Sequence, residues 1–186
     1  KISGLEKTTL IGKNHIDFNK QFCVIARSTF GLIQQLVYFI HDKKKVYFEG
    51  GYNSYSFMNQ TVYSIFYLKQ KKNDKITIDE IKDFDTINEL EQFAKDTKNQ
   101  DYLNIIKFIN TYGDNIFEIN KKIKEFLVTD KKDADIIFTT THKSKGLEYE
   151  QVIMADDFIS KKEITNTKNK LSFQRINEEL NIYYVA

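Results

Sequence analysis

The chain has 186 residues, a net charge of +2, 41% hydrophobic and 29% charged residues, and no proline. That balance is a soluble globular composition and not a disordered one, in a chain long enough for one well-buried core or one domain with a modest insertion. No apolar run nears the roughly 20 residues of a membrane-spanning helix, Lys1–Glu6 has no signal-peptide h-region, and so small a net charge does not by itself require a nucleic-acid partner; the expected compartment is cytoplasmic.

In chain order, the first strand is predicted at 22–27 (FCVIAR), an apolar run ending at Arg27. Its lone cysteine, Cys23, can form no internal disulfide and reads as a small core residue. Residues 28–44 (STFGLIQQLVYFIHDKK) have helical spacing, with Ser28 or Thr29 as N-cap. A second strand follows at 45–51 (KVYFEGG), completing a strand–helix–strand unit. From 52 to 132 the apolar residues move to helical spacing: Val62, Ile65 and Phe66, then Leu90, Phe93 and Ala94, then Leu103, Ile106 and Ile109, then Ile116, Ile119 and Ile123. Strand texture returns at 135–141 (DIIFTTT) and 151–156 (QVIMAD). Such near-continuous apolar strands are covered on both faces, as in a parallel sheet. The expected fold class is therefore α/β, a parallel sheet interrupted by a helical insertion. Lysine runs at 43–45, 69–72 and 121–124 read as solvated faces.

The connection between the last two strands reads THKSKGLEYE. Thr140, Thr141, His142, Ser144 and Lys145 offer neutral donors and a point charge at a strand's C-terminal end, where α/β sheets bind ligands and phosphates find amides. Gly146 permits a positive φ or close approach, and Glu148 is an acceptor for a ribose hydroxyl or a cation. Composition alone leaves both a surface turn and an anion site open. His15, His41, His142 and Cys23 show no ligand spacing, so no metal site is expected.

The order of residues is more specific. Thr140, His142, Lys145, Gly146, Leu147, Glu148, Tyr149 and Val152 together resemble motif V of the UvrD/Rep group of superfamily 1 helicases. CVIARST is similar to the group's Tyr-Arg-Ser/Thr-Asn segment, VYFEGG to its strand closed by a glycine pair, and EELNIYYVA to the start of motif VI. Residues 84–116 and the ADDF at 155–158 resemble the F-box DNA helicase branch and its bacterial relatives.

The resemblance implies the second of two RecA-like motor domains, formed by residues 1–51 and 133–186, with 52–132 as a helical insertion domain. It implies an ATP-dependent DNA helicase or translocase moving 3′-to-5′, whose ATP and Mg²⁺ lie between this domain and an N-terminal RecA-like partner. Carried over position by position, Thr140, His142, Lys145 and Arg27 match residues on the single-stranded DNA side, and Gly146 and Glu148 match the nucleotide side. Thr29 stands where the family has Asn, which weakens the match at Arg27. No G-x-x-x-x-G-K-[ST] is present in the 186 residues, so these residues alone are expected not to hydrolyse ATP and to hold no catalytic residue or metal. Two rival readings stand beside this one: a non-enzymatic nucleic-acid-binding domain with aromatic stacking platforms, and a protein-interaction module built on a helicase remnant.

Overall fold

The structure is a computed structural model that describes residues 16–55, 57–158 and 177. Four strands, β1 (Phe22–Ala26), β2 (Val46–Phe48), β3 (Ile136–Thr140) and β4 (Val152–Met154), form one sheet in the order β2-β3-β1-β4. Every pairing is parallel: Phe22 lies opposite Ile136 and Ala26 opposite Thr140, Phe48 opposite Phe138, and Ile25 opposite Met154. The expected α/β fold with a parallel sheet is what forms. β1 and β3 are buried along their whole length, which is why their sequences are continuous apolar runs rather than alternating ones.

One face of the sheet presents Phe22, Val24, Ala26, Val46, Phe48, Ile136 and Phe138. Helix α1 (Thr29–Phe39) covers it with Leu32, Ile33, Leu36 and Phe39, a stripe at helical spacing. Ser28 caps α1, its hydroxyl accepting from the Gly31 amide at 3.0 Å. Of the two hydroxyls expected as caps, Ser28 takes the role because its backbone is extended (φ −126°, ψ 159°).

Between β2 and β3 the chain forms helices α2 (Gln60–Lys69), α3 (Asp79–Lys82), α4 (Ile87–Asp96), α5 (Gln100–Tyr112) and α6 (Asn115–Phe126). Asn59, Thr86 and Asn99 cap α2, α4 and α5 through their side chains. α5 packs against α1, α2, α4 and α6, and the Phe30 and Phe108 rings meet at 5.6 Å across the α1–α5 contact. The buried residues of these helices, among them Val62, Ile65, Leu90, Ile106, Ile109, Ile116 and Ile123, belong to the same continuous core as the sheet face.

The opposite sheet face holds a smaller cluster: Cys23, Ile25 and Ile137 with Ala134, flanked by Tyr47, Val128, Tyr149, Met154 and Phe158. Cys23 is fully buried, the core role its sequence setting implied. Among the described residues no helix is long and apolar enough to cross a membrane. The motif VI-like segment EELNIYYVA lies outside the described residues, as do residues 1–15.

Candidate functional site

All four strands point their C-terminal ends to one edge of the sheet, and the residues singled out in the sequence gather there. Ala26 and Thr140 are register partners, so Arg27 and Thr141 leave the sheet at the same level on adjacent strands. β2 leaves through Glu49, whose amide donates to the Phe138 carbonyl at 3.1 Å. β4 continues through Ala155, whose amide donates to Ile25 O at 2.8 Å, into Asp156 and Asp157.

The segment after β3 begins as a helical turn. Thr140 is extended (φ −94°, ψ 158°) and starts a one-turn helix, α7 (Thr141–Ser144). Two buried hydroxyls hold that turn: Thr141 Oγ1 donates to Ala26 O at 3.4 Å, and Ser144 Oγ donates to Thr141 O at 2.9 Å. These hydroxyls serve the fold first, and Thr140 is itself buried at 9% exposure. The turn leaves His142, Lys145, Gly146 and Glu148 exposed. Gly146 has φ +76° and no atom within 4 Å of where a Cβ would lie, so backbone conformation rather than crowding selects glycine there. Of the candidate donors, His142 and Lys145 share the exposed stretch with the acceptor Glu148, while the hydroxyls of Thr140, Thr141 and Ser144 do not.

Arg27 is half-buried, and its backbone amide donates to Asp157 Oδ1 at 2.8 Å. Asp157 Oδ2 accepts from the Ser28 amide at 2.7 Å and the Ser28 hydroxyl at 2.8 Å. Residue 157 thus seats its carboxylate on the β1–α1 turn, against the first turn of α1, where amides and helix dipole favour negative charge. Sequence reasoning notes ADDF but gives Asp157 no role. Its partners lie more than a hundred positions away in sequence, at |i−j| of 129 and 130, and no local pattern announces them.

Sequence reasoning also singles out Lys145 and not Lys143. The Lys143 ammonium donates to Ser54 Oγ and lies 4.1 Å from the centroid of the Tyr55 ring. One helical turn aims Lys143 inward and Lys145 outward, a difference the sequence does not show.

Glu49, Lys131 and Tyr149 form the site's charged flank. Lys131 donates to Glu49 Oε1 and stands 4.5 Å from the Tyr149 ring centroid, and the Tyr149 hydroxyl donates to the same Oε1 at 3.1 Å. Burial pushes the Cys23 thiol from its ordinary 9.0 up to about 12, and the Tyr149 hydroxyl beside it draws that partly back. Burial first, and then neighbouring negative charge, holds the Tyr149 hydroxyl well above its ordinary value. Tyr149 is therefore neutral and a donor across the working pH range.

No group of His, Cys, Asp or Glu among the described residues is arranged to hold a metal ion. Gly146 leaves open space beside its backbone and Glu148 presents an exposed acceptor, the chemistry a hydroxyl donor would need; the described residues present no phosphate cradle.

Comparison with known proteins adds to this geometry. The model of a family described as UvrD-like helicase C-terminal domain matches residues 7–186. The chain is 30% identical over 113 residues, 57% of its length, to F-box DNA helicase protein 1 of Schizosaccharomyces pombe. It is 35% identical over 54 residues, 29% of its length, to F-box DNA helicase 1 of Gallus gallus. The matched stretches make up 13% and 5% of those proteins, so the chain corresponds to a small part of each. No solved structure matches.

Proposed function

Since the chain belongs to the UvrD-like helicase C-terminal domain family, we propose that it acts as the second RecA-like motor domain of an ATP-dependent, 3′-to-5′ DNA helicase or translocase. In this reading residues 1–51 and 133–186 form the motor half, 52–132 form its helical insertion, and an N-terminal RecA-like domain supplies the other wall of the ATP cleft. The observation that carries the reading is that His142, Lys145, Gly146 and Glu148 stand exposed together at the C-terminal edge of the sheet.

His142 and Lys145 give that edge a donor and a positive charge for the DNA backbone, with Thr140 and Arg27 at its base. Phosphate contacts of this kind position a strand without reading its sequence. Three residues past Lys145, Glu148 holds a nucleotide by accepting from a ribose hydroxyl, with Gly146 allowing close approach. ATP, when bound, supplies the phosphoryl transfer that drives stepping. Because Lys145 and Glu148 lie three residues apart on one segment, closure on the nucleotide at the Glu148 end is coupled to the DNA-facing end. Mg²⁺ is assigned to the partner domain's side of the cleft.

The test is ATP hydrolysis with and without single-stranded DNA, measured on this chain and on a longer protein that contains it. The expected result is a silent chain and a DNA-stimulated longer protein, with Glu148→Ala uncoupling turnover from translocation or weakening nucleotide binding. A longer protein that stays silent while the chain alone binds DNA tightly and salt-dependently would replace the motor with the binding-module reading.

A further inference from the structure

The segment after β3 reaches Glu49 directly at its Tyr149 end and at one remove, through Tyr55, at its Lys143 end, and Glu49 stands where the chain leaves the sheet for the helical segment. On one side, Lys143 lies over the Tyr55 ring, and the Tyr55 hydroxyl donates to the Glu49 carbonyl at 2.8 Å. On the other, Tyr149, the residue after Glu148, donates to the Glu49 carboxylate at 3.1 Å. Lys131, on the returning stem of the helical segment, completes that contact by pairing with Glu49 and lying over the Tyr149 ring. The two stems are also held together by the Val128 amide, which donates to Val46 O at 2.9 Å.

Burial makes this junction consequential. The Glu49 side chain is 13% exposed and that of Lys131 36%. A carboxylate so enclosed needs its cation, and without Lys131 it would turn toward water and release the Tyr149 hydroxyl. Among the described residues Tyr149 has no other strong anchor: Cys23 gives it a weak sulfur contact and the sheet face an apolar one.

We propose that Glu49 and Lys131 are positioning residues for Glu148: their ion pair fixes Tyr149, sets where the Glu148 carboxylate is presented, and ties that presentation to the seating of the helical segment. This rests on the nucleotide role proposed above for Glu148. Displacing the returning stem withdraws Lys131, frees Tyr149 and loosens the Gly146–Glu148 turn, while the buried hydroxyls of Thr141 and Ser144 keep the His142 end in place.

Amide hydrogen exchange on the 186-residue chain tests the positioning, comparing wild type with Lys131→Met, Glu49→Gln and Lys131→Arg. Lys131→Met is expected to speed exchange about tenfold at the Leu147 amide, which donates to Ser144 O at 2.9 Å, with the amides of β1 and β3 unchanged. Glu49→Gln keeps an acceptor for Tyr149 and should give a smaller rise, and Lys131→Arg should restore the wild-type rate. Unchanged exchange at Leu147, or a rise matched across the sheet, overturns the proposal. In a longer protein that contains this chain, Lys131→Met is expected to raise KM for ATP about fivefold with single-stranded DNA affinity kept within about twofold, again restored by arginine. Equal loss of both affinities would mark a general structural role and overturn it too. A wild-type helicase without DNA-stimulated hydrolysis would instead remove the nucleotide role of Glu148, and the exchange arm still decides the clamp.

Discussion

Replacing Gly31 by alanine should destabilise this protein, although glycine inside a helix is ordinarily a liability. A Cβ on residue 31 would fall 2.0 Å from Asp157 Oδ2, 2.3 Å from its Cγ and 3.0 Å from its Cβ. α1 cannot yield without disturbing the core beneath it, so the carboxylate must leave. It would abandon the Arg27 amide, the Ser28 amide and the Ser28 hydroxyl. These groups are only half-buried and regain water, so about 1 kcal/mol for each is appropriate, about 3 kcal/mol together. Alanine returns about 1 kcal/mol of helix propensity. The net cost is about 2 kcal/mol, a fall in thermal midpoint of about 4–8 °C for a chain of this size. Urea unfolding followed by circular dichroism reads it directly. The informative comparison is the same change in an Asp157→Gly background, where every clashing atom is gone and Gly31→Ala should become neutral or stabilising by up to about 1 kcal/mol. Equal effects in the two backgrounds, or a stabilised Gly31→Ala single variant, would refute the reasoning.

Alkaline pH should unfold the chain earlier than a protein of exposed tyrosines. Burial raises Cys23 from 9.0, and Tyr52 and Tyr55 from 10.0, each to about 12. The folded state thus keeps protons the unfolded state gives up, so this stabilisation is complete below about pH 9 and is lost as pH climbs to about 12. The thermal midpoint should fall across that window and fall less steeply in Cys23→Ala; a flat midpoint contradicts it. Ser64 is fully buried and its hydroxyl accepts from the Thr77 and Ile78 amides at 3.2 and 3.3 Å. Ser64→Ala should cost about 1–3 kcal/mol by urea midpoint, and a loss under about 0.5 kcal/mol would mean water or backbone shift satisfies those amides. In a longer protein that contains this chain, the proposed motor role predicts that Lys145→Ala reduces the salt slope of single-stranded DNA binding by about 0.7, the share of a single neutralised phosphate, and an unchanged slope removes Lys145 from the DNA track.

The four strands were legible because burial on both faces writes itself as unbroken apolar runs such as FCVIA and DIIF. Their order was not: nothing in those runs says that β3 enters between β1 and β2. The helices of 60–126 could be read from Ile and Leu spacing, whereas the four-residue α3 and α7 are too short to carry a period. His142, Lys145, Gly146 and Glu148 were found because they are close in sequence and exposed together. Asp157, Glu49 and Lys131 were not, since each acts through partners brought near only when the sheet closes. Lys143 illustrates a different limit: two lysines two positions apart are alike in sequence and opposite in environment.

The place of β3 in the sheet has a consequence for how the chain reaches this state. β1 and β2 leave the ribosome with a vacant slot between them, and the strand that fills it is made only after the five intervening helices. Closing that excursion costs on the order of 4 kcal/mol of chain entropy, and parallel pairing offsets it only when several contacts form together. Throughout that interval the facing edges of β1 and β2 have open amides and carbonyls, ready to pair with each other or with a second nascent chain. α5, touching α1, α2, α4 and α6 alike, is the piece able to shorten the excursion by gathering the helices first. A substitution that loosens α5, such as Ile109→Ala on its buried face, would therefore be felt as slower folding and lower soluble yield before it is felt at the sheet edge.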